Sequence, residues 1–257
     1  MILEPQTRQL LAFDTGEYAK SSKIISELET KNNARLRHIF STHKHEDHVG
    51  GNLEWLRARG EEVTVWGADL EVDNIPGLKR ENAMHDIKTM TIGDLCVCCL
   101  HTPGHTSDHC TFVVTHVTPE STKIPFVFCG DTLFTGGCGR LLGGTADQLL
   151  QSLRTIMSLP NESLMFCGHE YTIQNLEFAK KLEPDNPHIE QKLEMCRELR
   201  EKDEFTVGNQ IQEERMYNPF VRCFQGDRET REYYEQITGE SETLRVFQKL
   251  RALKDQF

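Results

Sequence analysis

Residues 36–51 read LRHIFSTHKHEDHVGG. The apolar run Leu36–Phe40 reads as a strand, and just beyond it His43, His45, Glu46, Asp47 and His48 crowd together. For a single histidine, a solvated and titratable loop is the plain alternative. Three imidazoles and two carboxylates at the end of one strand are instead the donor set that a divalent metal takes. The remaining ligands must then come from elsewhere in the chain, held at comparable places.

Three further fragments meet that requirement. Leu95–His101 leads into TPGHT and presents His105, Ile124–Cys129 leads into GDTLF and presents Asp131, and Leu164–Cys167 leads into GHEYT and presents His169. Each is a β-rich run ending in a ligand-type residue preceded by glycine, which lets the backbone turn sharply and approach a ligand closely. Binding residues gather on loops that a rigid scaffold holds at strand ends. Taken singly, His105 and His169 would read as hydrogen-bonded core residues and Asp131 as a turn cap. Together with His43, His45, Asp47 and His48 they make a set of candidate ligands delivered by four strands. His38, His85, His101, His109, His116 and His188 lack this setting and receive no role.

The surrounding pattern is mixed α/β. Val63–Trp66 and Thr111–Val117 are β-rich, and Thr89–Ile92 and Leu95–His101 flank Gly93-Asp94, a tight hairpin turn. Ser22–Lys31 and Asn52–Arg59 have the spacing of amphipathic helices. TADQLLQSLRTIM opens a helix with Thr145 at the cap and Gln148 three residues on, and Pro160 closes the segment. After about residue 171 the strand signal disappears. Helices are expected over Thr172–Leu182, from Asn186-Pro187 to Arg200, and over Ser241–Lys254, where Leu244, Phe247, Leu250 and Leu253 form an apolar stripe. The expectation is a catalytic domain over 1–171 and a helical domain over 172–257.

Composition narrows the function. With 257 residues, 37% hydrophobic and 27% charged, the chain can bury a sizeable core. A formal net charge of −11 argues against nucleic-acid binding, and a small anionic ligand would need a local positive patch. No stretch approaches a membrane span, and MILEPQTRQLLAFDTGE lacks the features of a secretory signal. Nine cysteines, several inside apolar runs, read as structural thiols in a reducing compartment, the cytoplasm or the mitochondrial matrix.

THKHEDH, TPGHT, GDTLF and GHEYT together resemble the metallo-β-lactamase superfamily, and GDTLFTGGCGR, GTAD, CGHEYTIQNL, EERMYNPF and RALKDQF resemble its hydroxyacylglutathione hydrolase (glyoxalase II) family over residues 36–257. The resemblance implies an αββα sandwich with a C-terminal helical domain. It also implies two divalent ions, zinc first with iron or manganese possible. His43, His45 and His105 would hold one ion, Asp47, His48 and His169 the other, and Asp131 would bridge them. A water shared by the two ions would attack the acyl carbon, with Asp47 and Asp131 as the catalytic carboxylates. The implied reaction is hydrolysis of S-(2-hydroxyacyl)glutathione, typically S-D-lactoylglutathione, by a monomer. A thiol with a pKa near 8.5 leaves without a dedicated acid.

Glutathione would be gripped by Arg140, Leu141 and Leu142, by His169, Glu170 and Tyr171, and by Arg251 and Lys254. Leu142 stands where the family has tyrosine, which should weaken the hold on substrate. The family's first strand, with its Asp-Asn-Tyr segment, has no counterpart before Met1, so some loss of stability is expected. An iron-dependent persulfide dioxygenase on the same fold, or a weakly active paralogue with an interaction role, are the alternatives.

Overall fold

QLLAF, Gln9–Phe13, lies outside every strand expected above, yet it is the second strand of the first sheet (β1 Ile2–Glu4, β2 Gln9–Phe13). The computed structural model describes residues 1–69, 74–117 and 124–257. Its two compact units are Met1–His101 with Asp108–Gly130, and Thr102–Ser107 with Asp131–Phe257.

In the first unit, β2 is followed by α1 (Tyr18–Asn32), β3 (Arg35–Ser41), α2 (Glu46–Val49), α3 (Asn52–Arg59), β4 (Thr64–Ala68) and β5 (Ala83–Met84). The strands run in the order β1-β2-β3-β4-β5, with β1 antiparallel to β2 and the remaining pairs parallel. Parallel strands are covered on both faces, and alternate residues divide accordingly. Leu10, Ala12, Leu36, Ile39 and Val65 pack with Ile25 of α1 and Trp55 of α3. Phe13, Phe40 and Trp66 occupy the opposite face, in register across β2, β3 and β4.

That opposite face meets a second sheet of β6 (Thr89–Ile92), β7 (Leu95–His101), β8 (Cys110–His116) and β9 (Phe126–Gly130), all antiparallel. Gly93-Asp94 forms the expected two-residue turn, pairing Ile92 with Leu95, and Gly93 supplies a φ of +54°. The two sheets are joined by aromatic rings. Phe13 stacks on Phe128 at 3.7 Å, and Phe40 meets Phe112 edge-on at 5.1 Å. Such pairs add about 0.5–1.5 kcal/mol beyond the area they bury.

The second unit begins, after Asp131, with the hairpin β10 (Leu133–Phe134) and β11 (Gly137–Cys138), then α4 (Ala146–Met157) and β12 (Leu164–Cys167). Both halves of the capping box on α4 are present. The helical stretch holds α5 (Thr172–Leu182), α6 (Pro187–Glu201), α7 (Glu214–Tyr217), α8 (Pro219–Gln225), α9 (Arg228–Thr238) and α10 (Thr243–Asp255). It is interrupted by a strand that the pattern did not signal, β13 (Asn209–Gln210), paired antiparallel with β12. Helices α7 to α9 were also not expected. α7 is a single turn, and α9 is announced only by its caps, Asp227 accepting from the Thr230 amide and Gly239 in the left-handed region. The apolar stripe of α10 is buried at Val246, Phe247 and Leu250, and each such side chain contributes about 1.5–3 kcal/mol. No cysteine forms a disulfide. Among the described residues, no helix is long and apolar enough to cross a membrane.

Candidate metal centre

β3 carries the chain from the core at Ile39 and Phe40 straight into Thr42 and His43. Thr42 is fixed by the Asp14 carboxylate, whose Oδ1 accepts from the Thr42 amide and whose Oδ2 accepts from the Thr42 hydroxyl, both at 2.8 Å. The Thr42 carbonyl accepts from the Cys110 amide at 2.9 Å, tying the turn to β8. His45 then stands at the start of the single turn α2, which winds Asp47 and His48 around beside it.

The imidazoles of this unit lie against one another. His43 Nε2 is 3.0 Å from His45 Nδ1, and the His43 and His48 rings are 4.1 Å apart. His48 Nε2 lies 4.0 Å from Asp47 Oδ2. The outer nitrogens are tied to the protein. His48 Nδ1 donates to Asp14 Oδ2 at 2.8 Å, and His43 Nδ1 lies 3.0 Å from the Thr42 hydroxyl, whose own proton goes to Asp14. With Nδ1 protonated, the lone pair of each ring sits on Nε2. This arrangement typifies metal-binding histidines, where an outer partner fixes tautomer and orientation.

The second unit repeats the design. His105 Nδ1 donates to the Arg140 carbonyl at 2.9 Å, so its Nε2 carries the lone pair, 3.6 Å from Asp131 Oδ2. The same carboxylate oxygen lies 3.4 Å from His169 Nε2. His105 and Asp131 are buried, and the His169 ring stacks on Tyr171 at 4.8 Å. Two neighbouring glycines are sterically required. Gly130 has a φ of +47°, and a Cβ there would collide with the Thr42 hydroxyl and lie 2.7 Å from His109 Nε2. Gly104 packs against the α4 backbone, where a Cβ would come within 2.8 Å of the Leu149 nitrogen.

Within each unit, therefore, the expected ligands converge: His43, His45, Asp47 and His48 in one, His105, Asp131 and His169 in the other. The donor chemistry suits a divalent ion of borderline character.

The residues expected to grip substrate fall into distinct environments. Arg140, Leu141 and Leu142 are exposed, and the Leu142 amide donates to the His105 carbonyl at 2.8 Å. Tyr171 is exposed, with its ring edge-on to Phe134 at 5.5 Å. Glu170 turns to the protein, accepting from the Thr206 amide at 3.0 Å and the Thr206 hydroxyl at 2.7 Å. Arg251 is 4% exposed: Nη1 donates to the Cys138 carbonyl at 2.8 Å, Nη2 pairs with Asp255 at 3.1 Å, and the guanidinium lies over Phe220. Lys254 rests over Phe178 and Phe257 and donates to the Gln174 carbonyl. Burial, and then the charges of Arg251 and Arg140, lower its pKa to about 8. The three cations cluster about one carboxylate, Asp255, which lies 3.7 Å from Arg140 Nε and 3.1 Å from Arg251 Nη2.

Three residues assigned no role from the sequence belong to the site's frame: Asp14, Thr42 and His109. His109 is fully buried and stacks on His43 at 4.8 Å. Asp14 had a readable signal, because it follows an apolar run and precedes Thr15-Gly16, the same strand-end design as Asp131.

Residues 13–169 match the family model for the metallo-beta-lactamase superfamily, and residues 170–257 match that for the hydroxyacylglutathione hydrolase C-terminus. The chain is 38% identical over 258 residues to a hydroxyacylglutathione hydrolase-like protein of Gallus gallus, covering 100% of this chain and 85% of that one. It is 41% identical over 224 residues to a hydroxyacylglutathione hydrolase of Synechococcus sp. (strain JA-3-3Ab), covering 87% and 82% respectively. The crystal structure of ETHE1 from Myxococcus xanthus superposes with a TM-score of 0.59 at 22% identity, covering 98% of this chain and 91% of that one. At that identity the likeness speaks to the fold alone, and it agrees with the mixed α/β class and C-terminal helical region expected from the motifs.

Proposed function

We propose, from the premise that the chain belongs to the metallo-β-lactamase superfamily and within it to the hydroxyacylglutathione hydrolases, that it is a thioesterase cleaving S-(2-hydroxyacyl)glutathione, S-D-lactoylglutathione above all, to glutathione and a 2-hydroxy acid. The superfamily implies a divalent metal centre built from histidine and aspartate clusters. We assign His43, His45 and His105 to one ion, Asp47, His48 and His169 to a second, and Asp131 to both, with zinc the first choice and iron or manganese chemically acceptable. The observation that carries this reading is the fixed outer nitrogen of His43, His48 and His105, each leaving Nε2 as the donor. When bound, two such ions supply an activated water near neutral pH and an electrophile for the acyl oxygen.

The chain's own groups divide the remaining work. Burial pushes the Cys138 thiol up to about 11 and the Cys167 thiol up to about 12, so neither offers a thiolate nucleophile at neutral pH. The leaving thiolate needs no proton donor, in keeping with a site that carries imidazoles and carboxylates already committed to other bonds. Arg140 and Lys254 supply positive charge for the glutathione carboxylates, and Tyr171 offers an exposed ring and hydroxyl. Arg251 contributes by its charge and by holding the Cys138 carbonyl, and Glu170 by holding the loop at Thr206. A monomer acting in the cytoplasm or the mitochondrial matrix completes the reading, and nine cysteines outside any disulfide support the reducing compartment.

The test is hydrolysis of S-D-lactoylglutathione by the purified protein, with metal content measured on the same sample. Thioester loss that is abolished by chelation, with about two ions per chain, is the expected result. An inert thioester, with glutathione persulfide consumed by dioxygen at a single iron, would overturn it.

A further inference from the structure

Between Asp131 and Arg140 the chain makes the hairpin β10–β11, whose strands are two residues each and too short to be stable alone. Side chains from the helical stretch hold it. Asn175 Nδ2 donates to the Thr135 carbonyl at 3.2 Å, and Asn209 Nδ2 donates to the Thr135 hydroxyl at 3.0 Å. Asn218 Nδ2 donates to the carbonyls of Gly137 at 3.0 Å and Phe134 at 3.3 Å, and Arg251 reaches that of Cys138. The one acceptor among these clamps is Glu214. Its Oε2 accepts from the Gly136 amide at 2.9 Å and from Asn218 at 2.8 Å, and its Oε1 accepts from the Tyr217 hydroxyl at 3.0 Å. Glu214 and Asn218 are fully buried.

Both ends of the hairpin lead to the site. Asp131 lies just before β10. After β11, the Gly139 amide returns to the Thr132 carbonyl at 3.3 Å, and the next carbonyl, that of Arg140, fixes the His105 tautomer. The Phe134 ring packs on Tyr171, with His169 6.2 Å away. A displaced hairpin would therefore disturb Asp131, His105 and His169 at once. Burying a carboxyl is costly unless it is hydrogen-bonded, and Glu214 meets that cost by joining the turn, Asn218 and Tyr217 into one unit.

We propose that Glu214 is a positioning residue for hydrolysis, setting through the Gly136 amide the hairpin that carries Asp131 at one end and the Arg140 carbonyl at the other. This rests on the metal-centre reading above. The experiment uses the full-length, metal-loaded protein as wild type, Glu214→Gln, Glu214→Ala and Tyr217→Phe. It measures metal per chain, kcat and KM, hydrogen exchange at the Gly136 amide, and folding by circular dichroism. Glutamine keeps an oxygen for Gly136 and Asn218 and an amide for Tyr217, so it should stay within about twofold of wild type, a small loss beside the usual one for an outer partner. Alanine should lower kcat and metal affinity by about 10- to 100-fold, as loss of an outer partner does, with KM changing less and Gly136 exchanging faster.

A folded Glu214→Ala chain with wild-type kcat and metal content overturns the proposal. So does a Glu214→Gln chain as impaired as the alanine one. Should alanine prevent folding, Tyr217→Phe decides, because an unaltered kcat and Gly136 exchange rate there would also overturn it. A wild type that binds metal but cleaves no thioester removes the substrate reading alone, and metal content with Gly136 exchange then decides the positioning role by itself.

Discussion

Replacing Glu214 by glutamine should change how stability depends on pH, and the sign follows from burial. The carboxyl is pushed up from 4.5 to about 7, first by burial, against the lowering effects of Asn218, the Gly136 amide, Tyr217 and the Lys192 charge. Below pH 4.5 the folded and unfolded chains both carry the proton. As pH rises toward 7 the unfolded chain releases it first, so the fold loses stability over that window. At about 1.4 kcal/mol per unit, the full loss is roughly 3 kcal/mol, a large share of the 5–15 kcal/mol typical of a domain. Glutamine mimics the protonated acid and does not titrate. Urea unfolding of both proteins at intervals from about pH 5 to pH 8 gives a difference in which other titrations cancel. The variant should gain on wild type by roughly 2–3 kcal/mol across that range. A flat difference would mean that Glu214 is not buried as described, and the hairpin argument would lose its anchor.

Asp14→Asn should lower metal affinity by about 10- to 100-fold, because it weakens the partner that fixes the His48 tautomer; titration with zinc followed by calorimetry checks this, and unchanged affinity refutes it. KM for the glutathione thioester should rise above about pH 8 as Lys254 loses its proton, and Lys254→Met should raise KM at pH 7 and remove that rise. Leu142→Tyr should lower KM by about two- to twelvefold at near-constant kcat, the value of one neutral hydrogen bond; steady-state kinetics showing no gain would mean the exposed leucine faces something other than the glutathione backbone. Gly130→Ala places a Cβ in a left-handed backbone against Thr42, and should destabilise by about 1–3 kcal/mol, seen as a lower denaturation midpoint with metal content reduced in parallel.

The candidate metal ligands were readable because they stand at the ends of four apolar runs, so local sequence alone announces strand, turn and donor together. Asp14 was overlooked for want of a histidine beside it, although its strand-end setting is the same. The clamps on the hairpin are a different case. Asn175, Asn209, Glu214 and Asn218 lie 40 or more positions from the groups they hold, and nothing local distinguishes them from ordinary cap residues. Arg251 illustrates the limit from the other side. The resemblance implies a cation that grips glutathione there, whereas the guanidinium is buried on Phe220 and bonded to a main-chain carbonyl. Helix α9 went unseen because its apolar positions are few, with only Tyr234 and Thr238 buried.

The clamping of the hairpin also imposes an order on biosynthesis. Cys138 leaves the ribosome 113 residues ahead of Arg251, and at about 5–20 residues per second that interval lasts roughly 6–20 s. Through it the hairpin gains its supports one after another: Asn175 and Asn209 come first, Glu214 and Asn218 follow, and Arg251 is made after all of them. The segment that runs from Asp131 to the Arg140 carbonyl is thus held by its full set of clamps only after α10 has been made and has docked.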